Sequence, residues 1–206
     1  MDVQVKQMMQ RLPSKVNAGE KPPKEKNPRK NPWRNEPPQL RDDLYRAFGV
    51  DLTQVPGINT LTAQMLLTKV GTDLSRFPTA ATFCSWLRLC PDPRISGGHV
   101  LSSRTRPTKN RAALALRMAA QGLHRSETFL GDYFRRMKAR MGTPKAMTAA
   151  AHKLARIVYH MITTRQEYDA TVFQEQERRS RDRKRAKLNA QARDLGLRLV
   201  PVDSVP

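Results

Sequence analysis

Residues 52–71, LTQVPGINTLTAQMLLTKVG, contain the turn around which the predicted helices are arranged. Pro56 restricts one backbone angle, whereas Gly57 accepts a positive φ at little steric cost. Asn59 or Thr60 is suited to cap the helix that follows. A helix before the turn is predicted from three apolar residues with helical spacing: Leu40, Leu44 and Phe48. The stretch therefore predicts two helices joined by a tight turn.

Two interpretations of this arrangement are open. In a helix-hairpin-helix motif, the backbone N–H groups of the turn and the positive end of a helix N-terminus bind a nucleic-acid phosphate. We expect the amides of Gly57, Ile58 and Asn59 to make that contact. Asn59 departs from the usual Gly-x-Gly pattern, in which a second glycine permits a closer approach. The alternative is an ordinary pair of helices whose turn only packs.

The charge of the chain favours a polyanionic partner. Its 206 residues include 38 Lys and Arg against 18 Asp and Glu, which gives a formal net charge of +20. Such an excess favours DNA or RNA, and less readily an anionic membrane. No apolar run approaches the ~20 residues that span a bilayer, and the N-terminus has no apolar signal region. We therefore expect a cytoplasmic protein.

The sequence lacks the motifs of several enzyme classes. Cys84 and Cys90 are too few for a disulfide framework and lack a metal-site spacing. His152 and His160 lie on one predicted helix without carboxylate or thiol neighbours. No Walker loop, Rossmann glycine pattern or His-Glu-x-x-His motif is present. We expect no cofactor in this chain.

Composition divides the chain into three parts. Residues 1–38 are rich in Lys, Pro, Asn and Glu, which predicts a disordered basic arm. Residues 39–169 show helical apolar patterns and predict one all-α domain with a modest core. Within it, the apolar stripe of residues 143–164 indicates either core packing or pairing between subunits. Residues 170–206 form a basic tail, predicted as a solvated helix, a disordered segment or a phosphate-binding arm.

A serine beside two glycines is the candidate nucleophile. Ser96 precedes Gly97 and Gly98 in residues 94–99, which predict a polar, flexible loop with a backbone open to nucleic acid. A hydroxyl that attacks a phosphodiester needs little steric crowding and nearby positive charge for the anionic transition state. Taken alone, Ser-Gly-Gly predicts a flexible turn before it predicts a nucleophile. Five neighbouring basic residues are expected to hold phosphates: Arg94, Arg104, Arg106, Lys109 and Arg111.

The order of several segments resembles one family of bacterial transposases. The segments are the Pro-Gly-Ile turn, Ser-Arg-Phe-Pro at 75–78, Ser-Gly-Gly at 96–98, Lys-Asn at 109–110 and Lys-Leu-Ala-Arg-Ile at 153–157. Over roughly residues 52–169, they resemble the C-terminal half of the DEDD-type insertion-sequence transposases. This "IS one-ten" family is related to the Piv DNA invertase. No single segment is specific to the family, whereas the ordered set is.

The resemblance implies a recombinase of the bacterial cytosol or nucleoid that excises and inserts a mobile element, guided by an RNA. It implies that Ser96 attacks DNA to form a 5′-phosphoserine. If the protein is functional, we expect it to be a homo-oligomer. The family's other half is a RuvC-like domain with four acidic residues that bind Mg²⁺, and no such pattern precedes Leu40. His99 also departs from the family, where a basic residue is usual. The chain is therefore interpreted as the DNA-binding C-terminal domain of such a transposase. The alternatives are a split subunit, an inactive fragment or a non-catalytic nucleic-acid-binding module.

Overall fold

The structure, a computed structural model, describes residues 7, 9, 11–17, 20–23 and 39–198. These residues are mostly helical, which confirms the predicted all-α class. The chain divides into two compact units, Met1–Tyr168 and Asp169–Pro206. Trp33 and most of the predicted N-terminal arm lie outside the described residues.

The first unit contains six named α-helices and a short hairpin within its described residues. The helices are α1 (Leu40–Phe48), α2 (Thr60–Val70), α3 (Ala80–Trp86), α4 (Arg111–Gly122), α5 (Phe129–Met141) and α6 (Thr143–Thr164). The strands are β1 (Arg94–Ser96) and β2 (His99–Ser102). Single 3₁₀ turns occupy Leu52–Gln54 and Leu123–Arg125.

Helix α6 is the central element of this unit, because it packs against α3, α4 and α5. Small residues on α4 and α6 are fully buried, which allows helix axes to approach closely. Leu154, Ile157 and Met161 of the α6 apolar stripe are buried as well, so those positions belong to the core. The buried alanines are Ala112, Ala113 and Ala120 on α4, and Ala146, Ala150, Ala151 and Ala155 on α6.

A buried carboxylate fixes the connection between α1 and α2. Asp51 is 2% exposed and forms an ion pair with Arg41 of α1. Its other oxygen accepts hydrogen bonds from the Thr53 amide at 3.0 Å and the Thr53 hydroxyl at 2.6 Å. A buried charge requires such partners, since an unpaired one is costly. The network therefore sets the path of the chain into the turn before α2.

Described residues of the predicted N-terminal arm lie against α1. The Lys15 amide donates to the Arg46 carbonyl at 2.9 Å, and the Tyr45 hydroxyl donates to Glu20 at 3.1 Å. Met9 is buried. The backbone hydrogen bond of Lys15 and the burial of Met9 show that these parts of the arm pack on the helical unit. The predicted disorder of the rest of residues 1–38 concerns residues outside those that the structure describes.

The second unit contains α7, Ala170–Asp194. Asp169 caps this helix by accepting a hydrogen bond from the Thr171 amide at 2.8 Å. Of the three states considered for the basic tail, the structure shows a helix over these residues.

Candidate nucleic-acid interface

The segment around Ser96 is a β-hairpin and not the irregular loop predicted from the sequence. Strands β1 and β2 are antiparallel, with Ile95 opposite Val100 and Ser96 opposite His99. Gly97 and Gly98 form the two-residue turn with φ of +55° and +77°. Positive φ at both positions is what a type I′ hairpin turn requires, and glycine adopts it without strain. The prediction of a flexible loop overlooked a hairpin signal in the sequence, namely Gly-Gly between two short segments that can form strands.

Ser96 lies at the exposed tip of this hairpin. The register places His99 directly across from Ser96, and the pairing is irregular between Arg94 and Ile95. Ile95 and Leu101 are 62% and 70% exposed, so the strands extend from the helical unit. The structure thus presents the serine to solvent, as an attacking hydroxyl requires.

The base of the hairpin is fixed by Asp92. Its amide donates to the Arg104 carbonyl at 3.0 Å, and its carboxylate pairs with the Arg106 guanidinium at 3.0 Å. The Arg106 hydrogen bond lowers the pKa of the Asp92 carboxyl below its usual value. Arg106 therefore already has an acidic partner, which makes it a less available phosphate ligand than the sequence suggested.

The other four predicted basic residues are exposed and follow the chain from β1 to the start of α4. They are Arg94, Arg104, Lys109 and Arg111. Asn110 caps α4, because its side-chain oxygen accepts a hydrogen bond from the Ala112 amide at 2.9 Å. Lys109 and Arg111 thus flank the positive end of a 12-residue helix, where anions are favoured.

The turn at Gly57 faces the core, in contrast to the hairpin. A Cβ on Gly57 would lie 2.7 Å from the Ala119 carbonyl oxygen of α4. Ile58 is buried, and its amide donates to the Val55 carbonyl at 3.0 Å. Asn59 caps α2 through the Thr62 amide at 2.7 Å. These contacts argue against phosphate binding by Gly57 and Ile58 and favour the packing interpretation of the turn.

A groove lies between the end of α3 and the segment that leads into α4. Its volume is about 720 Å³. Arg88 spans it, because its guanidinium donates to the Pro107 carbonyl. The lining residues are Ser85, Trp86, Arg88, Pro107, Thr108, Lys109 and Asn110. Sequence reasoning missed this site, since residues 85–88 and 107–110 are separated along the chain.

Neither a metal centre nor a membrane span occurs in the part of the chain that the structure describes. No three His, Cys, Asp or Glu side chains come together there in a way that could hold a metal ion. No helix in the same part is long and apolar enough to cross a bilayer.

These features define a helical domain that presents a serine hairpin and a basic segment. Residues 51–133 match the sequence model of the "Transposase IS116/IS110/IS902 family". The matched region contains the Gly57 turn, the hairpin, the basic segment and α4, and it confirms the resemblance drawn from the sequence. Over residues 51–133 the chain is thus similar to a transposase family. Comparisons with curated proteins and with solved structures found no match.

Proposed function

We propose that the chain is a DNA-binding transposase domain whose Ser96 attacks a DNA phosphodiester. The observation that carries the proposal is the position of Ser96 at a solvent-exposed hairpin tip within the region that matches the transposase family. The interface consists of the hairpin, including the open backbone of Gly97 and Gly98, and the exposed basic residues that follow it.

The charge of this interface supports phosphate binding. Arg94, Arg104, Lys109 and Arg111 are exposed. At physiological salt, charges interact strongly only within about 8 Å, so basic residues close to the hairpin contribute more than the charge of distant segments. Such contacts position DNA but do not read its sequence.

The proposed step is a transesterification at phosphorus. The Ser96 Oγ–P bond forms as the bond from phosphorus to the 3′ oxygen breaks, which leaves a 5′-phosphoserine and a free 3′ hydroxyl. The serine proton passes to a base, and the departing 3′ oxygen takes up a proton. Positive side chains near the phosphate stabilise the additional charge of the transition state.

The other components of the proposed reaction are inferred from the family resemblance alone. In the family an acidic domain binds Mg²⁺, so an acidic partner domain would hold the ion here. The described residues of this chain offer no cluster that fits it. A guide RNA and a homo-oligomeric assembly belong to the same proposal.

The covalent step is tested by Ser96→Ala in a reconstituted mixture with an acidic-domain partner and a labelled DNA duplex. We expect the substitution to abolish any denaturation-resistant protein–DNA adduct while the affinity for DNA changes less than about twofold, since one neutral hydroxyl contributes little to phosphate attraction. Ser103→Ala is the matched control, because Ser103 is also exposed and adjoins β2. An adduct that survives Ser96→Ala would overturn the assignment. Binding without any adduct in the wild-type mixture would favour a non-catalytic module or an inactive fragment.

A further inference from the structure

We propose that the groove between α3 and residues 107–110 binds one unpaired nucleotide, with its base stacked on Trp86 and its phosphate held by Arg88 and Lys109. The proposal rests on the proposed DNA-binding function and adds a class of ligand to it: a nucleotide taken out of the duplex.

Trp86 has the exposure and the rigidity of a stacking platform. It is the last residue of α3 and is 38% exposed, although tryptophan is usually well covered. Phe77 supports the indole with ring centroids 5.3 Å apart, and Phe83 lies nearly parallel to it at 6.3 Å. The Arg76 guanidinium lies over one face of the indole, 5.0 Å from the ring centroid, so a stacked base has to use the part of the ring that Arg76 leaves uncovered. These neighbours fix the orientation of the ring before a ligand arrives, which reduces the entropy lost on binding.

The shape of the groove depends on an uncommon backbone conformation. Arg88 has a φ of +54°, in the left-handed region that few non-glycine residues adopt. The chain reverses here while Leu87 and Leu89 are both buried, so Arg88 is directed outward between two core residues. Its guanidinium then reaches the Pro107 carbonyl on the opposite wall. Unusual backbone conformations of this kind often mark binding sites.

The charge of the groove selects an anionic ligand. Arg88 and Lys109 contribute two cations, and the described residues that line the groove include no carboxylate. The volume of about 720 Å³ lies within the range of small-ligand sites, about 300–1,000 Å³.

A combination of basic side chains and an exposed aromatic ring is how proteins hold single-stranded nucleic acid. In a duplex each base is already stacked on its neighbours, so only an unpaired base can use the Trp86 ring. Lys109 also belongs to the proposed duplex interface, which places the groove at its border. A strand that is opened beside the Ser96 hairpin would supply the unpaired nucleotide.

The test uses the intrinsic fluorescence of the full chain. The sequence holds two tryptophans, Trp33 and Trp86, so Trp33→Phe leaves Trp86 as the sole reporter. This variant is titrated with a 12-nucleotide oligo(dT), a 12-nucleotide oligo(rU) and a 12-base-pair duplex, and both fluorescence and affinity are followed. We expect the single strand to quench Trp86 and the duplex to leave it nearly unchanged.

Substitution of the ring should separate the two kinds of binding. Stacking of one base is worth about 1–3 kcal/mol, so Trp86→Ala should weaken oligo(dT) binding about 5- to 150-fold. Duplex affinity should change less than about twofold, because phosphate contacts dominate it. Trp86→Phe, which keeps an aromatic face, should retain most of the single-strand affinity even if Trp86→Ala lowers stability.

The outcomes distinguish this proposal from the function on which it rests. Duplex binding without any quenching by saturating oligo(dT) or oligo(rU) would overturn the nucleotide site alone. Quenching by oligo(rU) but not by oligo(dT) would support the site and assign its nucleotide to RNA. Quenching by single strands with no duplex binding would support the site and overturn the proposed duplex interface.

Discussion

Two glycine turns in this molecule have opposite surroundings, although both were predicted to contact nucleic acid. A Cβ on Gly57 would lie 2.7 Å from the Ala119 carbonyl oxygen, whereas a Cβ on Gly97 or Gly98 would have no other part of the protein within 4 Å. The first glycine is required because another part of the protein occupies the space. The second pair leaves its space open to a partner. What surrounds the turn, and not its residue type, separates a packing turn from a candidate interface.

The largest effect should follow from adding a methyl group at the packed turn. Gly57→Ala places a Cβ against backbone and forces an alanine to a φ of +90°. We expect a loss of about 3 kcal/mol or more in the free energy of unfolding, because strain and a steric clash add. Chemical denaturation monitored by circular dichroism measures it.

Two further substitutions separate the clash from the backbone strain. Gly71 has φ +83° and ψ −170° in open space, a conformation almost confined to glycine, so Gly71→Ala should cost about 1–3 kcal/mol from backbone strain alone. Gly97→Asn should stay within about 0.5 kcal/mol of the wild type, because asparagine is favoured in this turn. Equal losses for all three variants would erase the distinction between the two turns.

Two helix caps, one beside each region, allow a matched comparison, and we expect their removal to have an intermediate effect on the free energy of unfolding. Asn59 caps α2 beside the packed turn, and Asn110 caps α4 beside the basic segment. Either substitution by alanine should lower the free energy of unfolding by about 1 kcal/mol. Only Asn110→Ala should also weaken duplex binding, as a gel-shift titration would detect, because it loosens the segment that carries Lys109 and Arg111. If Asn59→Ala weakened duplex binding to the same degree, the turn at Gly57 would have to be part of the DNA interface.

A smaller effect concerns pH and a histidine of the helical unit. Burial, assisted by Arg156, lowers the pKa of His152 below its ordinary value of 6.5. The unfolded chain therefore binds a proton more readily, and the free energy of unfolding should fall as the pH drops below about 6.5. Denaturation midpoints between pH 8 and pH 5 should show a shallower fall for His152→Gln. Exposed His99→Gln serves as the control on the hairpin, and a wild-type slope in His152→Gln would contradict the expectation.

The helices followed from the sequence because apolar spacing and caps are local signals. Leu40, Leu44 and Phe48 marked α1, and Pro144 marked the start of the long helix α6. The hairpin was missed, although Gly97-Gly98 is also a local signal, because the exposed strands carry little apolar alternation. The role of Gly57 was not accessible, since Ala119 approaches it from a helix about sixty residues later.

The candidate site was predictable only in part, because contacts between residues distant in the sequence cannot be read from local signals. Ser96 and the exposed basic residues are neighbours in the sequence, so they could be grouped before the fold was known. The ion pair of Arg106 with Asp92 and the groove beside Trp86 depend on residues brought together by folding. Side-chain pairing decides which cations remain available, and composition carries no information about that pairing.

Duplex affinity across a salt series tests the central claim most directly, because it separates the interface from the overall charge. Each phosphate contact contributes about −0.9 to the slope of log K against log salt concentration. Arg104→Gln with Lys109→Gln is compared with Arg185→Gln and Lys187→Gln, a pair of exposed cations on α7 with the same change in charge. We expect the first pair to reduce the magnitude of the slope by about 2 and the second to leave it nearly unchanged. Equal reductions, or a reduction only with the α7 pair, would contradict the assignment of the interface to the hairpin and its basic segment.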